Sequence, residues 1–307
     1  MLNDTSILRH RPISINLDNF PGGVAAWGAL PAVFDCHSKK FDRGVHIHAR
    51  MTHSGKKIID QSYPEVELVW QEKNVIITEA SALSYTMSSI FDVETVSLNC
   101  THCGSELLDQ DLASVRPSFE HYCSFCGNST LSSTRCVVNP LIRFKEMLDD
   151  QVKRPSTMPQ RKINLDNTQY PGGFQIWGSN PSIIWTAKRL EESAIHVHAY
   201  NGENKRVIDN TYSEVWVNGM LLDIEMVRTL QIQKAIPELR LYLTSIHCPS
   251  CFHAHFDKEL LAVVPHQQHQ CEHCDAVFTT SERAISNPST AILNELNSSL
   301  EDRKCIN

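Results

Sequence analysis

No stretch of this 307-residue chain approaches the roughly 18 consecutive apolar residues that a membrane-spanning helix needs. The first eleven residues lack the apolar core of a secretory signal. Positive charge is in deficit: 28 Lys and Arg stand against 35 Asp and Glu, a net charge of −7. That balance argues against a mainly electrostatic grip on duplex nucleic acid. Also missing are the glycine-rich phosphate loop ending in Lys-Ser/Thr, the Gly-x-Gly-x-x-Gly fingerprint, the Gly-x-Ser-x-Gly nucleophile elbow and the His-Glu-x-x-His helix. A secreted, disulfide-stapled scaffold is not the expectation either, because such chains are usually short and carry cysteine throughout. These absences lead to the expectation of a cytoplasmic protein with no membrane segment.

What is present fits a globular chain. Hydrophobic residues are 41% and charged residues 21%, and this length supplies a core for each of two ordinary domains. The unusual entries are 11 Cys and 15 His.

The order of the residues is dominated by an internal repeat. Ile15-Asn16-Leu17-Asp18-Asn19, Pro21-Gly22-Gly23 and Trp27-Gly28 recur as Ile163-Asn164-Leu165-Asp166-Asn167, Pro171-Gly172-Gly173 and Trp177-Gly178. His46-Ile47-His48-Ala49 returns as His196-Val197-His198-Ala199, and Ile59-Asp60 with Tyr63 as Ile208-Asp209 with Tyr212. Asn139-Pro140 matches Asn287-Pro288. The expectation is a duplicated and fused gene: repeat 1 over 1–150, a Lys/Arg/Pro-containing linker over 151–162 and repeat 2 over 163–307. Two such repeats can form an internal pseudo-dimer about a pseudo-twofold axis, as a monomer or within a larger oligomer.

Within each repeat the pattern reads as a small, β-rich α+β unit. Strands are expected over 44–50, 57–60 and 65–69, and again over 195–200, 206–209 and 214–217, with Asn201-Gly202 as a hairpin signal. Helices are expected over 79–89 and 223–235. Asn-Pro then opens a C-terminal helix in each repeat, Asn as N-cap and Pro in the first helical position.

The strongest chemical signal is a pair of cysteine quartets. Cys100-x-x-Cys103 is followed after nineteen residues by Cys123-x-x-Cys126, and Cys248-x-x-Cys251 at the same interval by Cys271-x-x-Cys274. Each Cys-x-x-Cys turn offers two thiolates to one ion, and a second turn completes a tetrahedron. These stretches, 98–128 and 246–276, resemble the zinc-ribbon class over about thirty residues each. The donor set favours zinc, giving two structural ions with closed coordination. Cys36, Cys136 and Cys305 occupy no matched position and are expected to be core or surface thiols.

The histidines are the second signal. His46 and His48 share one face of a strand, as do His196 and His198. A five-residue loop in repeat 1 would set His46 opposite Asp60, and a four-residue loop in repeat 2 would set His196 opposite Asp209. Two imidazoles and a carboxylate on one face can bind a metal, relay a proton or form a buried hydrogen-bonded network. Trp27 and Trp177 are expected in the core, the alternative being the floor of a ligand pocket. Repeat 2 adds His255, Asp257, His266 and His269 between its Cys turns, where repeat 1 keeps Asp109 and His121 but has Leu107 and Ser118.

Two functions follow as expectations. The first is a zinc-stabilised binding or adaptor module for a protein partner. Single-stranded nucleic acid is less favoured by charge, although Lys39, Lys40 and Arg43, and the linker residues Lys153, Arg154, Arg161 and Lys162, leave it open. The second is an enzyme, a hydrolase or group transferase for a small polar or nucleotide-like substrate. Its catalytic set would be His196, His198, Asp209, His255, Asp257 and His266 in a cleft between the repeats. Convergence of His196, His198 and His255 in one pocket would favour the enzyme, and dispersal the binding module.

Overall fold

The computed structural model describes residues 11–35, 44–53, 55–149, 156–166, 168–186 and 191–304. The fold is α+β, built from small sheets and, among the described residues, four α-helices. No helix among those residues is long and apolar enough to cross a membrane. The chain divides into two compact units that are not contiguous halves. Unit 1 takes Met1–Leu30, Asp42–Ser156 and Asn180–Glu191, and unit 2 takes Pro31–Phe41, Thr157–Ser179 and Glu192–Asn307.

In unit 1, a four-stranded antiparallel sheet runs Ile184–Trp185, Val24–Gly28, Val45–Ala49 and Ile59–Tyr63 in spatial order. Its strands alternate: Val45, Ile47 and Ala49 are fully buried while His46 and His48 are not, as a half-buried strand requires. A three-stranded sheet places Ile13–Asn16 parallel to Glu65–Trp70, which pairs with Lys73–Thr78. Helix α1, Glu79–Ile90, starts in a reciprocal cap in which Ser81 N–H donates to Thr78 Oγ1 and Thr78 N–H to Ser81 Oγ. Thr86 Oγ1 of α1 accepts the Gly28 N–H at 3.1 Å. A Cβ on Gly28 would meet the Ala82 carbonyl oxygen at 2.4 Å, so the Trp-Gly pair is a packing device that lets the helix lie on the strand end. Helix α2, Leu141–Asp149, is capped by Asn139, whose Oδ1 accepts the Leu141 N–H at 3.0 Å. The buried Asn139 amide also donates to Ser81 O and Ser84 Oγ of α1, tying both helices together.

Unit 2 uses the same kinds of element. Its four-stranded sheet runs Phe34–Asp35, Phe174–Gly178, Ile195–Tyr200 and Arg206–Tyr212. Lys162–Leu165 lies parallel to Glu214–Val217, which pairs with Met220–Leu222. Helix α3, Ile224–Ala235, is capped by Asp223, which accepts from Glu225 and Met226 N–H. Gln231 Oε1 of α3 accepts the Gly178 N–H at 2.8 Å. Helix α4, Ser289–Lys304, follows Asn287, whose Oδ1 accepts the Ser289 N–H at 3.0 Å.

The edge strand of each four-stranded sheet comes from across the sequence midpoint. Ile183 N–H donates to Ala26 O at 2.8 Å, and Ile183 and Ile184 are buried in the core of unit 1. Val33 N–H donates to Ile176 O at 2.8 Å, and Val33 and Phe34 are buried in the core of unit 2. Lys234 of α3 donates to Ala32 O and Val33 O, both at 2.7 Å, and holds that segment down. Each of these buried side chains is worth about 1.5–3 kcal/mol.

Of the linker expected over 151–162, residues 151–155 lie outside the described residues, Ser156–Thr157 pairs with Glu191–Glu192, and Lys162 already opens a strand. Cys36, Cys305, Lys39, Lys40, Arg43, Lys153 and Arg154 also lie outside the described residues.

Candidate metal centres

Each ribbon is a long hairpin with an added parallel strand. In unit 1, Ser118–Tyr122 pairs with Ser129–Val138, which Thr95–Val96 flanks; in unit 2, His266–Gln270 pairs with Val277–Ser286, flanked by Leu243–Thr244. The Cys-x-x-Cys turns are shaped by backbone hydrogen bonds: Gly104 N–H to Cys100 O and Gly127 N–H to Cys123 O, both at 2.9 Å. The residue after the second cysteine is left-handed in all four turns, at Gly104, Gly127, Phe252 and Asp275. Unit 2 therefore holds two non-glycine residues in a conformation that favours glycine.

The four Sγ atoms of each quartet lie within 4.8 Å of one another. Cys100–Cys126 and Cys103–Cys123 are 3.6 and 3.7 Å apart, and Cys248–Cys274 and Cys251–Cys271 are 3.7 and 3.6 Å apart. A tetrahedron with metal–sulfur bonds of about 2.3 Å has edges of about 3.8 Å, so both quartets can hold a metal ion and their geometry is consistent with zinc. Backbone amides near Cys100 draw its thiol down to about 6. Burial pushes the Cys248 thiol up, but amide hydrogen bonds outweigh it and bring it to about 6. Although backbone hydrogen bonds lower them, burial and the neighbouring sulfurs push Cys123, Cys251 and Cys274 up, Cys251 to about 12; thiolate is the ligand form. Cys136 is buried in the ribbon core with Leu107 and Val138, as a core thiol.

The histidine pairs lie on the sheet face opposite the core, with a register different from the sequence expectation. His48 is opposite Asp60, with His46 opposite Ser62; His198 is opposite Asp209, with His196 opposite Thr211. The reason is loop length. In unit 1 the ladder closes only at Ala49–Ile59. In unit 2 Asn201 N–H donates to Lys205 O across a five-residue loop, and the register shifts between Ala199 and Tyr200. The diagonal neighbour still reaches the carboxylate. His46 Nε2 is 3.0 Å from His48 Nε2 and 3.3 Å from Asp60 Oδ1, and His48 Nε2 is 3.0 Å from the same oxygen. For His196, His198 and Asp209 Oδ1 the corresponding separations are 3.0, 3.4 and 3.3 Å.

Three neighbours complete each group. His46 Nδ1 is 3.0 Å from Ser62 Oγ, and His196 Nδ1 is 3.3 Å from Thr211 Oγ1. Lys57 Nζ contacts Asp60 Oδ2 at 2.7 Å, and Arg206 Nη2 contacts Asp209 Oδ2 at 3.4 Å. Trp27 and Trp177 are half-buried on this face rather than in the core, with ring centroids 4.8 and 4.9 Å from His48 and His198. They stand directly across the ladder from His46 and His196, which puts them on the same side of the pleat. Burial pushes the His48 imidazole down to about 4 and lowers that of His198. Burial raises Asp60, but hydrogen bonds from His46, His48 and Lys57 outweigh it and hold the carboxyl well below the usual range.

A third cluster lies inside the second ribbon. His255 Nε2–H donates to Asp257 Oδ1 at 2.7 Å, and Ser286 N–H donates to Asp257 Oδ2 at 2.6 Å. His266 Nε2 and His269 Nδ1 lie 3.3 and 3.4 Å from Oδ1. The His266 contact is electrostatic, lacking hydrogen-bond geometry, and His255 Nδ1 is buried with no partner. Unit 1 keeps the same tie without the extra imidazoles: His121 Nδ1–H and Val138 N–H both donate to Asp109 Oδ2 at 2.8 Å. In both ribbons the aspartate thus links the inner histidine to the long strand.

Of the residues expected to be catalytic, His196, His198 and Asp209 form one group, while His255 and Asp257 form a separate one that His266 borders. Sequence reasoning missed Lys57 and Arg206, although a basic residue stands three positions before the aspartate in both repeats. It also missed Ser62 and Thr211, hydroxyl residues two positions after it. No family model, curated protein or solved structure matches the chain.

Proposed function

We propose that this protein is a zinc-stabilised, duplicated binding module that docks a protein partner through the outer face of its first ribbon. One observation carries the reading: Tyr122, Phe125 and Leu131 are 67%, 81% and 74% exposed. Leu131 sits opposite Glu120, two pairs along from Tyr122 opposite Ser129, so Tyr122 and Leu131 project from the same side of the hairpin, while Phe125 lies inside the Cys123–Cys126 turn. Large apolar side chains held out on a rigid, metal-clamped hairpin resemble the aromatic anchors of protein interfaces. The second ribbon has Gln270, His273 and Thr279 at the matching places, so the duplicates have diverged in what they present.

Element-by-element parallels between the units support gene duplication. Unpaired thiols at both quartets support a reducing compartment such as the cytoplasm. The net charge and Glu120 on the apolar face weigh against nucleic acid. A single active site would need His196, His198 and His255 together; their separate groups support the binding reading.

Replacing Tyr122, Phe125 and Leu131 together by Ser tests the proposal. The expected outcome is unchanged metal content and melting temperature, with loss of a partner that the wild-type chain retains in crosslinking and pull-down experiments. A partner held equally by the variant, or single-stranded oligonucleotide binding that falls steeply with salt, overturns it.

A further inference from the structure

The geometry points to a second kind of metal site, one in each unit, separate from the cysteine quartets: His46, His48 and Asp60, and His196, His198 and Asp209, each binding a divalent first-row transition ion through two Nε2 atoms and one carboxylate oxygen.

The argument starts from the triangles of ligand atoms. Their edges are 3.0, 3.0 and 3.3 Å in unit 1 and 3.0, 3.3 and 3.4 Å in unit 2. An ion about 2.1 Å from each of three ligands has ligand–ligand edges of about 3.0 Å at octahedral angles and about 3.4 Å at tetrahedral ones. Both triangles lie within that interval. One ion therefore satisfies all three atoms without moving them.

Hydrogen bonding alone does not satisfy them. A neutral imidazole carries one ring proton, so each Nε2 is either a donor or an acceptor, and the carboxylate oxygen only accepts. If both Nε2 atoms donate to Oδ1, two N–H bonds converge on one oxygen with their nitrogens only 3.0 Å apart and their protons crowded together. If one Nε2 donates to the other, the accepting nitrogen turns its lone pair on the carboxylate. Every neutral assignment leaves one edge repulsive, whereas a cation at the centre is attracted to three lone pairs.

The surrounding groups fit ligand duty. Ser62 Oγ and Thr211 Oγ1 can accept the Nδ1 proton of His46 and His196, which leaves the Nε2 lone pair aimed inward, as outer partners of metal-bound histidines do. Lys57 and Arg206 contact Oδ2, while Oδ1 is the oxygen that both imidazoles approach; the same two cations also come within 3.5 Å of His48 Nε2 and 3.4 Å of His198 Nε2. The carboxylates are about 30% exposed, so an ion has a route in and keeps exchangeable positions. Three protein ligands with open positions differ in kind from the closed cysteine sites.

The test uses the full chain, with its cysteine quartets loaded with zinc, titrated with Co2+. The expected result is two further ions per chain by equilibrium dialysis, weak d–d absorption without sulfur charge transfer, and quenching of tryptophan fluorescence from Trp27 and Trp177. His48→Ala removes one of the added ions, and His48→Ala with His198→Ala removes both while the zinc content stays at two. Should the histidine variants misfold, Ser62→Ala and Thr211→Ala supply the second reading, weakening Co2+ about 10–100-fold at unchanged stoichiometry. The proposal is overturned if the zinc-loaded chain takes up no Co2+, Zn2+ or Mn2+ at millimolar concentration. It is equally overturned if the double histidine variant binds as the wild type does. Neither result bears on the ribbon face proposed for a partner.

Discussion

Asp257 shows how one residue can be read two ways. Its sequence neighbourhood, His255 and the His266/His269 pair, suggested chemistry, and three imidazoles do surround its Oδ1. Yet Asp109 makes the same backbone tie in the other ribbon with only His121 beside it, so the carboxylate first of all holds a hairpin together. Asp257→Ala leaves Ser286 N–H and His255 Nε2–H unpaired in a buried place, at about 1–3 kcal/mol each. A loss of about 3 kcal/mol in denaturant melts is expected. Burial raises the Asp257 carboxyl, but the His255 and Ser286 hydrogen bonds outweigh it and bring it below the ordinary 3.8. The unfolded chain therefore takes up this proton at higher pH than the folded one. The contribution is complete above about pH 4 and is lost as pH falls through the lowered value, a slope that Asp257→Asn should flatten. At this scale the two cysteine quartets were legible, because spacing alone defines a Cys-x-x-Cys turn. The Lys57–Asp60 and Arg206–Asp209 pairs had an equally regular spacing, but a basic residue three before an acid is too common in soluble proteins to single out.

Among the elements, helices and buried strands followed their patterns closely, and turns did not. Strands over Ile195–Tyr200 and Glu214–Val217 and helices α1 and α3 were readable from periodicity and caps. The hairpin expected at Asn201-Gly202 instead closes over five residues. Two-residue turns sit at Asn218-Gly219 and at Gln71-Glu72, each with two positive φ angles. Asn-Gly suits that conformation and Gln-Glu does not, which is why the strand Lys73–Thr78 gave no sequence signal. Replacing Gln71-Glu72 by Asn-Gly should therefore stabilise unit 1 by about 1–2 kcal/mol, read as a rise in melting temperature. No rise would mean that the turn is not strained. Register moved with the turns, and with it the facing partner of every histidine.

For the whole molecule, the unexpected feature is the crossing of the midpoint. A fragment spanning 1–156 keeps the strand Val24–Gly28 but lacks Ile183 and Ile184, which cover its edge and its core. It should self-associate through that bare edge and melt well below the full chain, as sizing chromatography and calorimetry would show. A stable monomeric fragment would contradict this account. Chelation acts elsewhere. On the zinc-stabilised reading proposed above, the first ribbon's buried core, Cys100, Leu107, Cys123, Cys136 and Val138, is too small to persist without an ion, because zinc-binding energy is folding energy in such modules. Hydrogen exchange after chelator treatment should accelerate in 98–128 and 246–276 before the four-stranded sheets.

The sequence by itself determined the class α+β, the two cysteine quartets and the sharing of one strand face by each histidine pair. Those properties depend on residue type and short spacing, which the backbone periodicities of helix, strand and turn convert directly into geometry. Only the tertiary structure decided which carboxylate oxygen both imidazoles share, that tryptophan stands beside them, and that each four-stranded sheet is edged by a strand from the other half of the sequence. Those outcomes rest on loop closure and on long-range pairing. Both sequence halves offer nearly the same apolar edge segment, so no local preference distinguishes the near partner from the distant one.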